Sequence, residues 1–467
     1  EEAIKLRRAI RLPFLDHTTL AKRRASAEAE IARNHETAPG IYLEAAAVRK
    51  TAAGYALEGE GEIVDWVTRM RRFDEEATLD KVAARGELTD AHIRGLGAAI
   101  HAMHARAPTR PAAPAIAAMG RWIEQNATAF AERPDLFPAH EAAELQTLAQ
   151  AALATATPLL LARGERGRIR RGHGDLHLGN IALIEGRATP FDAIEFDDEI
   201  ATGDILYDLA FAAMDLWERD RRAQSNLLLN VYLSLGETQD YAALALLPLF
   251  LSVRAAIRVK VEAGNLGHLD AAKREAAARS ARRYFDFALA FLKPAPPRLV
   301  AVGGLSGAGK SALAAALAPE LGAAPGAVWL RSDVERKHLF GVDELTRLGD
   351  EAYAAEASRR VHARLAERAQ AALKAGHAVL VDATHAHAAE RRAVAALAGG
   401  APFAGLWLEA PVATRIQRIR ARRGDASDAD EAVARAQASE AISEPGWRAI
   451  DASGDLAATQ AAAREAL

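Results

Sequence analysis

Gly304-Leu-Ser-Gly-Ala-Gly309-Lys310-Ser311 fits the pattern G-x-x-x-x-G-K-[ST], and its surroundings decide the fold. Just before it, Arg298-Leu-Val-Ala-Val302 is a short apolar run that reads as a buried strand, and just after it a helical stretch begins. In that setting Gly304, Gly307 and Gly309 let the backbone wrap a phosphate chain, so that several N–H groups and a helix N-terminus face it. Lys310 can then reach the β/γ-phosphates of a nucleotide and Ser311 can ligate magnesium. Downstream, helical stretches at 311–321, 351–375, 386–398 and 411–423 alternate with strand candidates at 327–331, 377–381 and 403–408. This βαβα rhythm predicts an α/β unit with a mainly parallel sheet and helices on both faces.

Two carboxylates follow strands in that unit, in Ser332-Asp333-Val-Glu-Arg336-Lys337 and in Val381-Asp382-Ala-Thr384. The carboxyl ends of parallel strands line the ligand crevice, so Asp333 and Asp382 can face the nucleotide together. Asp333 is the candidate to orient and deprotonate an acceptor hydroxyl, with Arg336 one turn later holding an anionic acceptor group. Asp382 suits the water shell of magnesium near Ser311. Farther on, Arg415-Ile-Gln-Arg418-Ile-Arg420-Ala-Arg422-Arg423 puts Arg415, Arg418 and Arg422 on one helix face, a basic helix able to close over phosphates. The constellation resembles, over residues 298–467, the P-loop small-kinase group of gluconate kinase, chloramphenicol phosphotransferase, zeta-toxin-like kinases and phage-type polynucleotide kinase. The resemblance implies ATP, with GTP as the alternative, and Mg2+. The Asp333/Arg336 pairing looks most like polynucleotide kinase, in which the Asp is the base and the Arg contacts the acceptor's phosphate.

A boundary precedes this unit at Lys293-Pro-Ala-Pro-Pro297, where proline removes backbone donors and disfavours helix. Residues 1–292 read as a mixed α+β small lobe to about 75 and a mainly helical lobe over about 76–292, interrupted by a loop-and-strand island near 169–197. The island holds His173-Gly-Asp175-Leu-His177-Leu-Gly-Asn180. An Asp followed five residues later by Asn has kinase-loop spacing: Asp175 for the acceptor hydroxyl, Asn180 for magnesium. Here the chain resembles the aminoglycoside phosphotransferase and choline kinase superfamily, of protein-kinase-like fold, whose loop reads H-G-D-x-H-x-x-N and whose later segment often reads I-D-F-E. This chain has Ile194-Glu195-Phe196-Asp197 with the acids exchanged, which leaves the second metal ligand open between Glu195, Asp197 and Asp192. By the same resemblance Asp208 braces the catalytic loop, Lys5 in Ala3-Ile4-Lys5 is the strand lysine that holds the α/β-phosphates, and Glu30 is its helix partner. A glycine-rich hairpin normally precedes that lysine. Only four residues precede Lys5, so either the hairpin lies upstream of Glu1 or the lobe binds ATP poorly.

Composition limits the remaining possibilities. The 467 residues are 50% hydrophobic with a formal net charge of -3, which suits two globular domains and argues against a general DNA binder. There is no cysteine, so neither disulfides nor thiolate metal sites arise. The pairs His101/His104 and His385/His387 lack a third ligand of suitable spacing for zinc. No uninterrupted apolar run reaches about 18 residues and the opening EEAIKLRRAI is not a signal peptide, so a cytoplasmic protein without membrane contact is expected. As a whole the chain resembles bacterial fusions of an aminoglycoside-phosphotransferase-like module with a P-loop kinase. The expected activity is transfer of the γ-phosphate to a hydroxyl of a small molecule or of a nucleic-acid end, at two sites. The alternative is a P-loop enzyme regulated by a catalytically weak, ligand-binding N-terminal module. The oligomeric state is left open.

Overall fold

The computed structural model describes residues 2–12, 15–422 and 424–467; Arg423, the last of the basic run, lies outside them. The chain divides into two compact units, Glu1–Asp220 with Leu249–Leu292, and Arg221–Pro248 with Lys293–Leu467.

In the first unit an antiparallel sheet runs in the order Glu2–Leu6, Glu62–Arg71, Tyr42–Thr51, Gly54–Ala56. The helix Leu20–Asn34 starts at Thr19, whose side chain accepts from Lys22 N, and it buries Ala27, Glu30 and Asn34. Long helices follow at Asp90–Arg106, Ala112–Ala131 and Ala139–Glu165, and then the hairpin Ile181–Ile184 with Arg187–Pro190. This is the expected succession of a mixed lobe and a helical lobe carrying an island. By length and composition Ala139–Glu165 and Thr238–Gly264 could each cross a membrane. Their arginines are nevertheless engaged by the fold: Arg163 makes a buried ion pair with Asp204 at 2.6 Å, and Arg254 donates to Gly174 O at 2.9 Å and Tyr207 O at 3.1 Å.

The second unit has a five-stranded parallel sheet in the order Val328–Arg331, Val379–Asp382, Leu299–Gly304, Phe403–Glu409, Trp447–Asp451. Its central strands are apolar on both faces because helices cover both, and Val300, Val302, Leu313, Leu380 and Leu406 are buried together. All four helices expected here are shorter than their pattern suggested, and for the first two the cause is visible. The first stops at Leu317, since Pro319 has no N–H to continue it, and the second begins at Ala355 after a 3-10 turn at Asp350–Tyr353. The strand Trp447–Asp451 and the closing helix Leu456–Ala466 were not anticipated.

Residues 221–248, grouped from sequence with the helical lobe, cluster instead with this unit. The physical reason lies along the edge strand Val328–Arg331. Asn226 Nδ2 donates to Ala327 O at 2.9 Å, Asn230 Nδ2 donates to the same carbonyl at 3.2 Å, and Asn230 Oδ1 accepts from Trp329 N at 2.6 Å. Two side-chain amides thus satisfy a strand edge that would otherwise be open. Nearby, the fully buried Arg368 pairs with Glu335, donates to Gly236 O at 2.9 Å and lies 4.9 Å from the Tyr241 ring centroid.

Candidate active sites

In the second unit the strand Leu299–Gly304 leads into the loop, and the helix begins at Lys310. Gly307, at φ +82, is required twice over: its backbone is left-handed, and a Cβ there would come within 2.4 Å of Arg415 O. Sheet register pairs both Val302 and Arg331 with Asp382, which brings that carboxylate beside the start of the loop. Ser311 Oγ then donates to Asp382 Oδ2 at 2.7 Å. Burial holds the Lys310 amine below its ordinary value against the pull of Asp382 and Asp333. Burial pushes the Asp333 carboxyl up, with Lys310 opposing.

A cavity of about 550 Å³ is lined by Gly309, Lys310, Ser311, Asp333, Arg418 and Arg422, among others. Most of the residues singled out from sequence in this unit therefore meet at one place. Arg418 donates to Ala308 O at 3.2 Å and to Gly454 O at 2.7 Å, tying the helix Val412–Ala421 to the loop, and Arg422 donates to Ala429 O at 2.6 Å.

Arg336 does not join them. It is buried; its guanidinium donates to Ala352 O at 2.5 Å and Ser358 Oγ at 3.3 Å, and it sits 4.7 Å from the Tyr353 ring centroid. It is not among the residues lining the cavity. Although three positions from Asp333, it is turned to the following turn and helix, so the expected contact with an acceptor's phosphate finds no support. Sequence reasoning also missed Arg331, whose Nε is 3.7 Å from Asp382 Oδ2 and whose Nη2 is 3.0 Å from Asp425 Oδ1. Its last-in-strand position before Asp333 was the available signal.

In the first unit Lys5 Nζ lies 2.6 Å from Glu30 Oε1 and 2.8 Å from Asp192 Oδ1. Burial alone would lower this amine, but the two carboxylates outweigh it and hold it above its ordinary value. Glu30 is itself fixed by Arg7 and by Thr68 Oγ1 at 2.7 Å. Asn180 Nδ2 donates to Asp175 Oδ2 at 3.0 Å and to Asp175 O at 2.9 Å. Burial would raise Asp175, yet His177, 3.5 Å away, keeps its carboxyl below the usual value. Asp208 accepts from His173 N at 2.7 Å and Gly174 N at 3.0 Å, which is the bracing expected of it.

Of the three carboxylates left open as metal ligands, Asp192 is the one that meets Lys5. The hairpin explains it: Phe191 N donates to Asn180 O at 2.9 Å, so Asp192 leaves the hairpin's open end one residue past Asn180's partner. Asp192 adopts φ +60 to do so. Glu195 and Asp197 are turned elsewhere. Burial and Glu30 push the Glu195 carboxyl up; it lies 3.9 Å from Arg7 and accepts from Ser26 Oγ at 3.3 Å. Asp197 Oδ1 accepts from Glu199 N at 2.8 Å and Ile200 N at 3.1 Å, closing a turn. The second histidine pair is likewise structural: His385 is buried and His387 lies 3.3 Å from Glu440.

Residues 16–247 match the model of the phosphotransferase enzyme family, and residues 299–442 match that of an AAA domain. The chain is accordingly a two-module protein, with an aminoglycoside-phosphotransferase-like N-terminal module and a P-loop kinase-like C-terminal one. An uncharacterized protein of Mycobacterium tuberculosis strain H37Rv is 27% identical over 448 residues, spanning 94% of this chain and 86% of the relative. A Mycobacterium bovis protein matches to the same extent. Similar solved structures include a sugar kinase from Janibacter sp. HTCC2649, 23% identical over 36% of this chain and 94% of its own, at a TM-score of 0.28. A gluconokinase from Sinorhizobium meliloti 1021 is 22% identical over 37% and 91%, at 0.27.

Proposed function

We propose that each module transfers the γ-phosphate of ATP to a hydroxyl group at its own site, in the cytoplasm. The observation that carries this reading is the meeting of Lys310, the Ser311–Asp382 pair and Asp333 around one cavity of about 550 Å³. Lys310 and the loop N–H groups hold the phosphate chain. Asp333, half-buried and poised above the ordinary aspartate range, accepts the proton of the acceptor hydroxyl as that oxygen attacks the γ-phosphorus and ADP departs. Arg418 and Arg422 carry the charge that spreads over the transferring group.

Hydroxyl and carboxylate oxygens suit Mg2+. Ser311 and Asp382 are the residues that would hold it in the second unit, and Asn180 and Asp192 those in the first; the ion would neutralise charge on the phosphates. In the first unit Lys5, oriented by Glu30, binds the phosphates and Asp175 receives the acceptor proton. Because Arg336 is committed to Ala352 and Ser358, a small hydroxylated molecule is the favoured acceptor over a nucleic-acid end.

The test is a γ-phosphate transfer screen against hydroxylated metabolites and oligonucleotides with the full chain, Lys310→Ala, Asp175→Ala and the double variant. Each single substitution should silence a different set of acceptors by roughly 10²-fold or more. A double variant that transfers as well as the parent chain would defeat the reading.

A further inference from the structure

We propose a separate anion-binding site on the first unit, behind the helix Leu20–Asn34, that takes a phosphate group through Arg33, Arg106 and Arg171. A cavity of about 140 Å³ lies there, bounded by these three arginines together with Glu36, His173 and others. That space is several times what a single water needs, which leaves room for a polyatomic anion.

Arg171 is 4% exposed and forms the fixed part of the site. Its Nε donates to Asp198 Oδ1 at 2.5 Å and its Nη2 to Ile194 O at 2.8 Å, so its plane is set before any ligand arrives. Arg33 and Arg106 are exposed at the cavity mouth, and neither makes a hydrogen bond or ion pair among the described residues. Burial and the facing Arg171 guanidinium push Arg33 below its ordinary value, with Asp198 opposing and Arg110 adding to the effect. Three guanidinium groups lining a small polar space, with Glu36 on its wall and Asp198 paired to Arg171, are suited to charge-assisted binding of phosphate oxygens.

None of the three belongs to the Lys5, Asp175, Asn180 and Asp192 set. The site still touches that set's supports, because Arg33 lies one turn beyond Glu30 on the same helix and His173 lies two residues before Asp175. A ligand there presses on both the helix that orients Lys5 and the catalytic loop.

The experiment uses the full chain saturated with a non-hydrolysable ATP analogue and magnesium, which occupies the nucleotide sites, and titrates inorganic phosphate and, separately, glycerol phosphate by calorimetry. One additional binding event is expected. It should weaken by about tenfold in Arg33→Ala and further in Arg33→Ala with Arg106→Ala, while analogue affinity is unchanged. Tighter binding of glycerol phosphate than of phosphate assigns the site to a phosphomonoester, and equal binding assigns it to free phosphate. Glu36→Gln, which removes a repelling charge without touching the arginines, should tighten binding, and this arm remains decisive if the double variant misfolds. Absence of the event, or its persistence at parental affinity in the double variant, overturns the proposal, as does a Glu36→Gln protein that binds phosphate more weakly.

Discussion

Asn230→Ala tests whether the 221–248 segment is an integral part of the P-loop unit. The substitution deletes the acceptor of Trp329 N, at 2.6 Å, and one of two donors to Ala327 O, at 3.2 Å. The Ala327 carbonyl keeps Asn226 Nδ2 at 2.9 Å, so the loss falls on the Trp329 N–H, left facing a methyl group. An orphaned backbone donor of this kind costs about 1–3 kcal/mol. For a unit of this size each kcal/mol lowers Tm by about 2–4 °C, giving an expected drop of about 2–12 °C. Asn226→Ala should cost less, because Asn230 still serves the carbonyl. Scanning calorimetry of the two variants in the full chain reads the difference. A neutral Asn230→Ala, or an Asn226→Ala as damaging as it, would refute the reasoning. Since the strand so held leads directly to Asp333, the variant should also lose phosphate transfer in proportion to its loss of folded protein, and no more.

Other outcomes follow from the same contacts. A 298–467 fragment should fold poorly, because the buried Arg368 would lose Gly236 and Tyr241; urea titration of fragments with and without 221–248 fused upstream checks this. Transfer at the P-loop site should fall as pH drops through the Asp333 value, which burial places above the ordinary aspartate value of about 3.9; an acid limb at or below that value in kcat/KM would remove Asp333 as the base. In a Lys310→Ala background, Asp192→Asn should cut the remaining transfer by roughly 10²-fold or more while Asp197→Asn changes it little, and the reverse order would restore Asp197 as the metal ligand.

Legibility tracked how local each feature was. The loop from Gly304 to Ser311 and the run from Asp175 to Asn180 do their chemistry within a few residues of chain, where spacing alone determines which groups face a phosphate or a metal. Both modules and most of their candidate site residues could therefore be read from the amino-acid order. Tertiary structure decided the rest, because it depended on groups far apart in sequence. Asp192 rather than Glu195 or Asp197 meets Lys5 across 187 residues, since a hairpin, and not the order of the acids, aims it. Arg336 has the right spacing from Asp333, but helical spacing does not say which neighbour a long side chain will bond, and Ala352 and Ser358 take it. The segment 221–248 is as helical as its neighbours, and only the open edge of the strand Val328–Arg331, whose backbone groups Asn226 and Asn230 satisfy, draws it into the other unit.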